Sequence, residues 1–311
     1  MNPADKKISI IIPVYRGENS IGRLVEELIA NLTDKVNLEI MLINDDSPDK
    51  SEDVCINLHQ RYPSQVKFIS LAKNVGEHNA VIAGLNYCTG DYAIIMDDDF
   101  QNPVSEVIKI LNYALEKDYD VVYTYYASKK HSIFRNLASR FNDIVANIML
   151  KKPGNLYLSS FKIINRFLID QIIKYDLPYV YIDGLILRTT SKIGKVQVLH
   201  QQRREGKSGY TLRKLIALWM NMFTNFSIVP LRISIYFGFI FSLFGFILGI
   251  YTIIEKIIDP GLPRGYAMLL TVVSIFSGIT LVAIGMLGEY IGRVFLSLNK
   301  KPQFTVRKKL I

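Results

Sequence analysis

The chain has 311 residues, half of them hydrophobic, with a formal net charge of +9 and a mean hydropathy of +0.19. That length accommodates one sizeable globular domain with further segments, or two modest domains. The apolar excess follows position 231, which excludes a wholly soluble chain. Much of the positive charge flanks the apolar segments, where anionic lipid headgroups account for it, so no nucleic-acid partner is expected. The isolated Cys55 and Cys88 are expected to be core residues, and neither they nor the four histidines predict a zinc site.

Short β-rich runs alternate with helical patterns from the N-terminus, which predicts an α/β fold with a doubly wound, mostly parallel sheet. The predicted strands are 8–13, 38–44, 66–70, 92–96 and 121–125, and the predicted helices are 21–32, 52–62, 77–88 and 104–116. Polar stretches follow the first four strands, reading "PVYRGENS", "NDDSPD", "AKNVGEHNA" and "DDDFQNP". Because ligands of such sheets bind beyond the carboxyl ends of the strands, these four loops are expected to line one crevice.

The second of these loops carries Asp45 and Asp46, which can accept hydrogen bonds from a base or ribose, and Tyr15 in the first loop can pack against a base. Taken alone, "NDDSPD" reads better as an Asx turn leading to a helix cap at Ser51. Neither GxxxxGK[ST] nor GxGxxG is present, so neither a P-loop nor a dinucleotide site is predicted.

Three consecutive carboxylates, Asp97, Asp98 and Asp99, follow the fourth predicted strand. Alternate side chains of an extended strand share a face, so Asp97 and Asp99 are expected to point together and Asp98 away. Such hard oxygen ligands, with neighbouring Gln101, favour Mg²⁺ or Mn²⁺, ions that usually complete their coordination with substrate phosphates. A solvated acidic turn is the alternative, but three adjacent negative charges after an apolar strand call for a positive partner. The triplet therefore predicts a metal ion bridging to a diphosphate.

Two uncharged apolar segments, 233–254 and 267–288, are each long enough to cross about 30 Å of hydrocarbon, which predicts two transmembrane helices. A pair of buried core helices is the alternative. The segment 131–151 reads as a helix on the membrane surface or as a plain core helix, and 211–231, with Trp219, favours an interfacial amphipathic helix.

Charge asymmetry predicts the orientation of these spans. The segments before the first span and after the second are basic, whereas the connecting loop 255–265 is neutral. By the positive-inside rule, both termini are expected to be cytoplasmic. The opening "MNPADKK" leads directly into the first strand, so no cleavable signal is expected.

In combination, "IIPVY", "NDDSPD", "KNVGEHNAVIAGL", "MDDDFQNP" and "RREGKSGY", followed by two spans with "PLR" and "GMLGEYIGR", resemble the family 2 GT-A glycosyltransferases that transfer sugars to polyprenyl phosphates. Dolichyl-phosphate mannose synthase and the undecaprenyl-phosphate glucosyl- and formamido-arabinose transferases belong to that family. The resemblance covers nearly the whole chain. It implies a GT-A domain over 1–210, a juxtamembrane helix over 211–231, a transmembrane hairpin over 232–288 and a basic cytoplasmic tail over 289–311.

The resemblance also implies the site. It predicts a nucleotide sugar donor, with UDP as the expected nucleotide, a polyprenyl phosphate acceptor, contact with membrane lipids and a homo-oligomer that is a tetramer by analogy. Asp97 and Asp99 are the expected D-x-D pair. The expected catalytic residues are Asp97, Asp99, Arg203 and Asp183, and the expected metal ligands are Asp97, Asp99 and Gln101. The expected nucleotide-binding residues are Pro13, Tyr15, Glu18, Asp45, Asp46, Lys73 and Asp98. The expected loop for the diphosphate and the acceptor comprises Arg203, Gly206, Lys207, Ser208 and Tyr210.

Several positions depart from the family pattern. The glutamate of the usual Y-N-E is displaced by one position to Glu18, Gly209 replaces a common lysine, and Leu156 stands where many relatives carry an acidic residue. A base from that last position is therefore not available. Asp183 is expected either to orient the acceptor or sugar, or to act as an ordinary helix cap.

Three other functions remain as alternatives. A processive polysaccharide synthase is suggested by Gln201 and Arg204, although Glu205 replaces the tryptophan of the Q-x-x-R-W signature and two spans are too few for a polymer channel. A transferase acting on a neutral lipid would need a base for the hydroxyl acceptor. A non-catalytic, membrane-anchored scaffold would have no evident use for an intact D-x-D pair.

Overall fold

The computed structural model describes residues 6–126, 156–178, 180–199, 229–258, 265–299 and 302–311. Its contacts divide the chain into two units. Met1–Tyr210 and Lys300–Ile311 form the first, and Thr211–Asn299 forms the second. The predicted surface helix 131–151 and nearly all of the predicted juxtamembrane helix 211–231 lie outside the described residues.

The first unit is an alternating α/β structure. Its strands are β1 (Lys7–Val14), β2 (Asn37–Asn44), β3 (Val66–Leu71), β4 (Tyr92–Ile95), β5 (Val121–Tyr126), β6 (Lys162–Asn165), β7 (Ile193–Val198) and β8 (Val306–Leu310). Its helices are α1 (Ile21–Leu32), α2 (Ser51–Arg61), α3 (Glu77–Tyr87), α4 (Ser105–Lys117), α5 (Arg166–Ile172) and α6 (Ile182–Thr189). The ends of the first five strands and first four helices lie within one residue of their predicted positions.

Within the described residues, the strands form one eight-stranded sheet in the order β7-β5-β6-β4-β1-β2-β3-β8. β1 is parallel to β2 and β4, β2 is parallel to β3, and β5 is parallel to β7. β6 runs antiparallel to both of its neighbours, and β8 runs antiparallel to β3. The mostly parallel sheet is confirmed, and the two antiparallel strands are additions that the sequence pattern did not predict.

Helix α1 shows how the sheet faces are covered. Its buried residues, at the i, i+3, i+4 and i+7 spacing of one helical face, are Ile21, Leu24, Val25, Leu28 and Leu32. They join a core that includes Ile10 and Ile12 of β1. Each fully buried side chain of this type contributes about 1.5–3 kcal/mol. Cys55 and Cys88 are buried free thiols, as expected of core residues.

The second unit contains two long helices, α7 (Val229–Ile258) and α8 (Tyr266–Leu298). Both contain a stretch long and apolar enough to cross a membrane, at Ser234–Glu255 and Ile275–Leu298. Large apolar side chains such as Phe239 are exposed along these stretches. This exposure contradicts the alternative of buried core helices, because a soluble protein rarely presents so much contiguous apolar surface to water.

The two helices pack against each other through aromatic and small residues. The rings of Phe241 and Phe276 lie edge to face with centroids 6.4 Å apart. A Cβ atom at Gly245 would lie 3.1 Å from the Phe276 ring, so the glycine leaves room for that ring. Small residues have this role where apolar helices approach closely in lipid.

The segment 289–311 differs from the separate basic tail that the sequence suggested. Residues 289–298 continue α8, and Val306–Leu310 form β8 at the edge of the sheet in the first unit. The charged sequence "VRKKL" lacks the apolar pattern by which a strand is predicted. It can form a strand here because an edge strand tolerates lysines that face water. The end of the chain is therefore part of the α/β unit.

Candidate active site

The carboxyl ends of four parallel strands meet at one edge of the sheet, as the sequence predicted. β1, β2, β3 and β4 are neighbours and point the same way. The loops that follow them therefore lie side by side, at the location where sheets of this type bind ligands.

The acidic triplet follows β4. A side-chain oxygen of Asp98 accepts a hydrogen bond from the Ser20 hydroxyl at 3.4 Å. A Cβ atom at Gly17 would overlap that same oxygen. Asp98 is thus turned towards the loop between β1 and α1, and only glycine fits opposite it.

The flanking carboxylates have different partners. Oδ2 of Asp97 accepts a hydrogen bond from the Ser160 hydroxyl at 2.8 Å, and Oδ1 of Asp99 accepts one from the Gln101 backbone N–H at 3.0 Å. Phe100, between Asp99 and Gln101, has a φ of 59°, a left-handed conformation that is uncommon outside glycine. Sequence reasoning missed Ser160, which approaches only through the folding of residues far apart in the chain.

These carboxylates have the donor chemistry that a hard divalent cation requires. Among the residues that the structure describes, no group of three or more His, Cys, Asp or Glu side chains is arranged to hold a metal ion. Asp97 and Asp99 carry carboxylate oxygens, the ligand type that such an ion prefers, and such an ion usually completes its coordination with phosphate oxygens and water.

The loop after β2 places its two aspartates in different environments. Asp45 is buried, and its oxygens accept hydrogen bonds from the backbone N–H groups of Val75 at 2.8 Å and Gly76 at 2.9 Å. Burial raises the pKa of Asp45, with a further contribution from the charge of Asp46, against the lowering effect of the two N–H groups. Asp45 thus holds the loop after β3, whereas Asp46 is more exposed, with a left-handed φ of 51°.

The displaced glutamate, Glu18, is engaged with the neighbouring loop. Its side chain accepts a hydrogen bond from the Lys50 backbone N–H at 3.0 Å, and its own N–H donates to Asp49 at 3.2 Å. The Gly17 N–H donates to the Ser51 hydroxyl at 2.9 Å. These contacts join the first two loops. The cap expected at Ser51 is wrong, because α2 begins at Ser51 and Lys50 occupies the N-cap position.

Three further nucleotide candidates lie at the same strand ends. Pro13 lies in β1 opposite Ile43. Tyr15 follows β1 with 47% of its surface exposed, so its ring is available to a ligand. Lys73 follows β3 and is exposed. By contrast, Arg203, Gly206, Lys207, Ser208 and Tyr210 lie outside the described residues.

Asp183 occupies a buried polar cluster. Its carboxylate forms an ion pair with Lys162 and accepts a hydrogen bond from the Tyr123 hydroxyl at 2.9 Å. Burial raises the pKa of Tyr123 well above its usual value, so this tyrosine remains a donor. The helix-cap alternative is wrong, because Tyr181 is the N-cap of α6 and Asp183 lies in its first turn.

Two residues at the start of α3 face this cluster and were missed by sequence reasoning. Glu77 is exposed at the start of α3, but the surrounding protein and then the charge of Asp97 raise its pKa to about 7. His78 contacts the Tyr181 ring edge to face at 5.2 Å, and burial lowers its pKa to about 4. Nothing in the local sequence "GEHNA" predicts the shifted pKa of Glu77 or of His78.

The profile of glycosyl transferase family 2 matches residues 9–189, which is more than half of the chain. The chain belongs to glycosyl transferase family 2. A second profile, the GtrB C-terminal hairpin, matches residues 229–294 and covers α7 and most of α8. The resemblance drawn from the motifs is therefore confirmed, and the chain is an enzyme of the glycosyltransferase type.

Curated relatives match this transferase along nearly its whole length. The undecaprenyl-phosphate 4-deoxy-4-formamido-L-arabinose transferase of Serratia proteamaculans is 33% identical over 308 residues, covering 97% of this chain and 94% of the relative. The enzyme of the same name from Photorhabdus laumondii is 30% identical over 312 residues, again covering 97% and 94%.

Solved structures show the same fold. Glucosyl-3-phosphoglycerate synthase from Mycobacterium tuberculosis, in complex with UDP, superposes on the transferase with a TM-score of 0.52 and 18% identity, covering 70% of this chain and 79% of that one. A complex of that synthase with Mn²⁺, UDP-glucose and phosphoglyceric acid gives the same values. At this identity, the similarity establishes the GT-A fold alone.

Proposed function

We propose that this enzyme transfers a sugar from a nucleotide diphosphate donor to undecaprenyl phosphate, with inversion at the anomeric carbon. The product would be a polyprenyl-phosphate-linked sugar for modification of cell-envelope glycans. The observation that carries the proposal is the match to undecaprenyl-phosphate 4-deoxy-4-formamido-L-arabinose transferases along 97% of the chain. The paired carboxylates at the end of β4 support a chemical rather than a scaffolding role.

The proposed donor carries UDP linked to a hexose or an N-acetylhexosamine. Structures of the same fold bind UDP and UDP-glucose, which makes these the first ligands to test. Exposed Tyr15 would pack against the base, and Asp46 would accept hydrogen bonds from the nucleoside. Buried Asp45 would act by holding the loop 72–76 that lies beside them.

Asp97 and Asp99 would hold Mg²⁺ or Mn²⁺, with Gln101 beside them. A divalent ion bound there supplies electrostatic stabilisation for the departing nucleoside diphosphate. The hydrogen bonds from Ser160 to Asp97 and from the Gln101 N–H to Asp99 fix the directions of the two carboxylates. Arg203 and Lys207 are proposed to add positive charge near the diphosphate.

The acceptor needs no strong base. A phosphate monoester has a second pKa near 6, so undecaprenyl phosphate is already mostly a dianion at neutral pH. This chemistry agrees with Leu156, a buried apolar residue at the position where many relatives carry an acid. The enzyme's task is then to align the phosphate oxygen with the anomeric carbon and to exclude water from it.

The two spans would hold the enzyme in the inner membrane, with both termini and the catalytic unit in the cytoplasm. A lipid phosphate lies at the headgroup level, so a catalytic unit anchored at that surface meets its acceptor there. The basic segments flanking the spans would attract anionic lipids. A homo-oligomer, a tetramer by analogy, is part of this proposal.

The proposal is tested by incubating the purified full chain in detergent with undecaprenyl phosphate, Mg²⁺ or Mn²⁺ and a panel of donors. The panel contains UDP-glucose, UDP-galactose, UDP-N-acetylglucosamine and UDP-4-deoxy-4-formamido-L-arabinose. We expect release of UDP together with a new glycolipid, whose mass identifies the sugar and whose anomeric configuration is inverted relative to the donor.

The control is Asp99→Ala, which removes one proposed metal ligand. Equal release of UDP by this variant and by the wild type would contradict the catalytic proposal. Sugar transfer to diacylglycerol or to a growing polysaccharide, with none to undecaprenyl phosphate, would favour the neutral-lipid or synthase alternatives. Donor binding without turnover of any panel member would favour a scaffold.

A further inference from the structure

Strand β8 adds to the edge of the sheet beside the proposed nucleotide site. It runs antiparallel to β3, with Lys308 opposite Ser70 and Val306 opposite Leu71. Arg307 is the extra residue between these two pairs and forms a β-bulge. Bulges re-aim a side chain relative to the regular alternation of a strand, and they are common next to active sites.

The segment that carries this bulge is docked at more than one point. The Ala72 N–H donates to the Thr305 carbonyl at 2.8 Å, which extends the pairing beyond β3. The Gln303 side chain donates to the carbonyls of Tyr175 at 2.6 Å and Leu177 at 2.9 Å. Position 307 is therefore held from both sides, and the direction of its side chain is defined.

The bulge directs the Arg307 guanidinium to the carboxyl edge of the sheet. One of its nitrogens donates to the Ala72 carbonyl at 2.8 Å. Another lies 4.0 Å from Oδ1 of Asp46, and the two side chains are 61% and 44% exposed. An exposed ion pair of this length contributes little to folding, so stability does not explain the arrangement.

We propose that Arg307 is a positioning residue for nucleoside binding, which holds the Asp46 carboxylate towards the donor. This inference rests on the proposed function, because it takes Asp46 as a ligand of the nucleoside. A carboxylate accepts hydrogen bonds from ribose hydroxyls or from a base N–H, and its alignment depends on what restrains it. The guanidinium, anchored on the Ala72 carbonyl, supplies that restraint.

The loop around Asp46 is already arranged for such a role. Asp46 has a left-handed backbone, and its neighbour Asp45 is fixed by Val75 and Gly76. Strained, non-glycine conformations cluster at ligand-binding sites, where the surroundings maintain them. With its backbone fixed, Asp46 has only side-chain freedom left, and Arg307 limits that freedom.

The test measures binding of UDP, GDP, CDP and dTDP to the purified full chain by calorimetry with Mn²⁺ present, and continues with the tightest-binding of the four. We expect Arg307→Ala to raise its Kd about five- to tenfold, because a charge-supported contact is lost. With sugar donor, KM should rise by a similar factor and kcat should change less than twofold. Arg307→Lys should recover part of the affinity, and the melting temperature should stay at the wild-type value.

Two controls separate this role from a structural one. Lys308→Ala, an exposed neighbour on the same strand, should bind the nucleotide as the wild type does. In an Asp46→Ala background, Arg307→Ala should have almost no further effect, because the two residues act through one contact. A full additional loss in that background would overturn the positioning role.

The outcomes also separate this inference from the proposed function. Wild-type binding with unchanged affinity in Arg307→Ala contradicts the inference alone. A wild-type chain that binds none of the four nucleotides contradicts both.

Discussion

Lys162 of β6 and Asp183 of α6 form a buried ion pair, with only 5% and 9% of their side chains exposed. The Tyr123 hydroxyl donates to the same carboxylate oxygen at 2.9 Å, and the Lys162 ammonium lies 5.2 Å from the centre of the Tyr123 ring. Three elements, β5, β6 and α6, are thereby joined through one carboxylate. The buried negative charge of Asp183 is compensated by the Lys162 ammonium and the Tyr123 hydroxyl, so removing either partner is costly.

We expect Lys162→Met to destabilise the protein by about 3–5 kcal/mol, because it leaves the Asp183 carboxylate buried without a cation. The double variant Lys162→Met with Asp183→Asn should recover much of this loss, because it removes the uncompensated charge. The free energies of unfolding of the single and double variants are measured by urea unfolding of the full chain in detergent, monitored by far-UV circular dichroism. Equal destabilisation of the single and double variants would contradict this account.

The same pair of variants tests the predicted catalytic role of Asp183. If Asp183 acts only by linking the three elements, the double variant should retain transfer activity once its stability is restored. A loss of kcat of about a hundredfold or more in a folded double variant would instead favour contact of Asp183 with the acceptor or sugar.

The hydrogen bond from Ser160 to Asp97 leads to a prediction about metal affinity. Ser160→Ala should weaken Mn²⁺ binding about tenfold, because a carboxylate ligand loses the partner that orients it. Ser160→Thr keeps the hydroxyl and should stay close to the wild type. The Mn²⁺ concentration that gives half-maximal UDP binding is the measurement, and an unchanged value in Ser160→Ala would count against Asp97 as a metal ligand.

Most of the fold was predictable from the sequence, as was the meeting of the first four strand ends at one edge of the sheet. The strands from β1 to β4 are apolar runs with polar residues directly after them, and their parallel pairing brings those residues to one edge. Asp98 contacts Ser20 and lies against Gly17. The expectation that it points away from Asp97 and Asp99 stays a prediction, because β4 ends at Ile95 and strand alternation does not extend to the triplet.

The missed features depend on contacts between distant parts of the chain. β6 has four residues and β8 carries three basic ones, so neither has a periodic apolar signal. Lys162 reads as an ordinary surface lysine until folding pairs it with Asp183. The bulge at Arg307 exists only because β8 lies against β3. No local pattern could have predicted these partners.

Gly17 provides a prediction with a matched control in the same segment. Gly17→Ala places a methyl group on the Asp98 carboxylate and 3.1 Å from Val14, so we expect a destabilisation of about 1–3 kcal/mol and reduced transfer activity. Gly22→Ala, at the second residue of α1, places its methyl group 3.7 Å from Val54 in ordinary contact. That helical substitution should leave activity intact and raise stability by up to about 1 kcal/mol. Thermal unfolding and UDP release compare the two, and similar effects at both positions would contradict the packing argument.

His78 gives a prediction about pH. Burial lowers its pKa to about 4 in the folded protein, with Lys162 acting in the same direction and Asp183 opposing it. Glu77 and the Tyr181 ring are its other neighbours. Between the usual histidine pKa of about 6.5 and the folded value, the unfolded chain binds the proton and the folded chain does not. This residue's contribution is therefore complete above about pH 6.5, and it is lost as the pH falls towards 4.

The expected loss from His78 is at most about 3 kcal/mol over that interval. In His78→Gln the titrating group is absent, so this part of the acid destabilisation should disappear. The melting temperature of the wild type should therefore fall more between pH 7.5 and pH 5.0 than that of His78→Gln does. Parallel dependence of the melting temperature on pH in the two proteins would contradict the lowered pKa of His78.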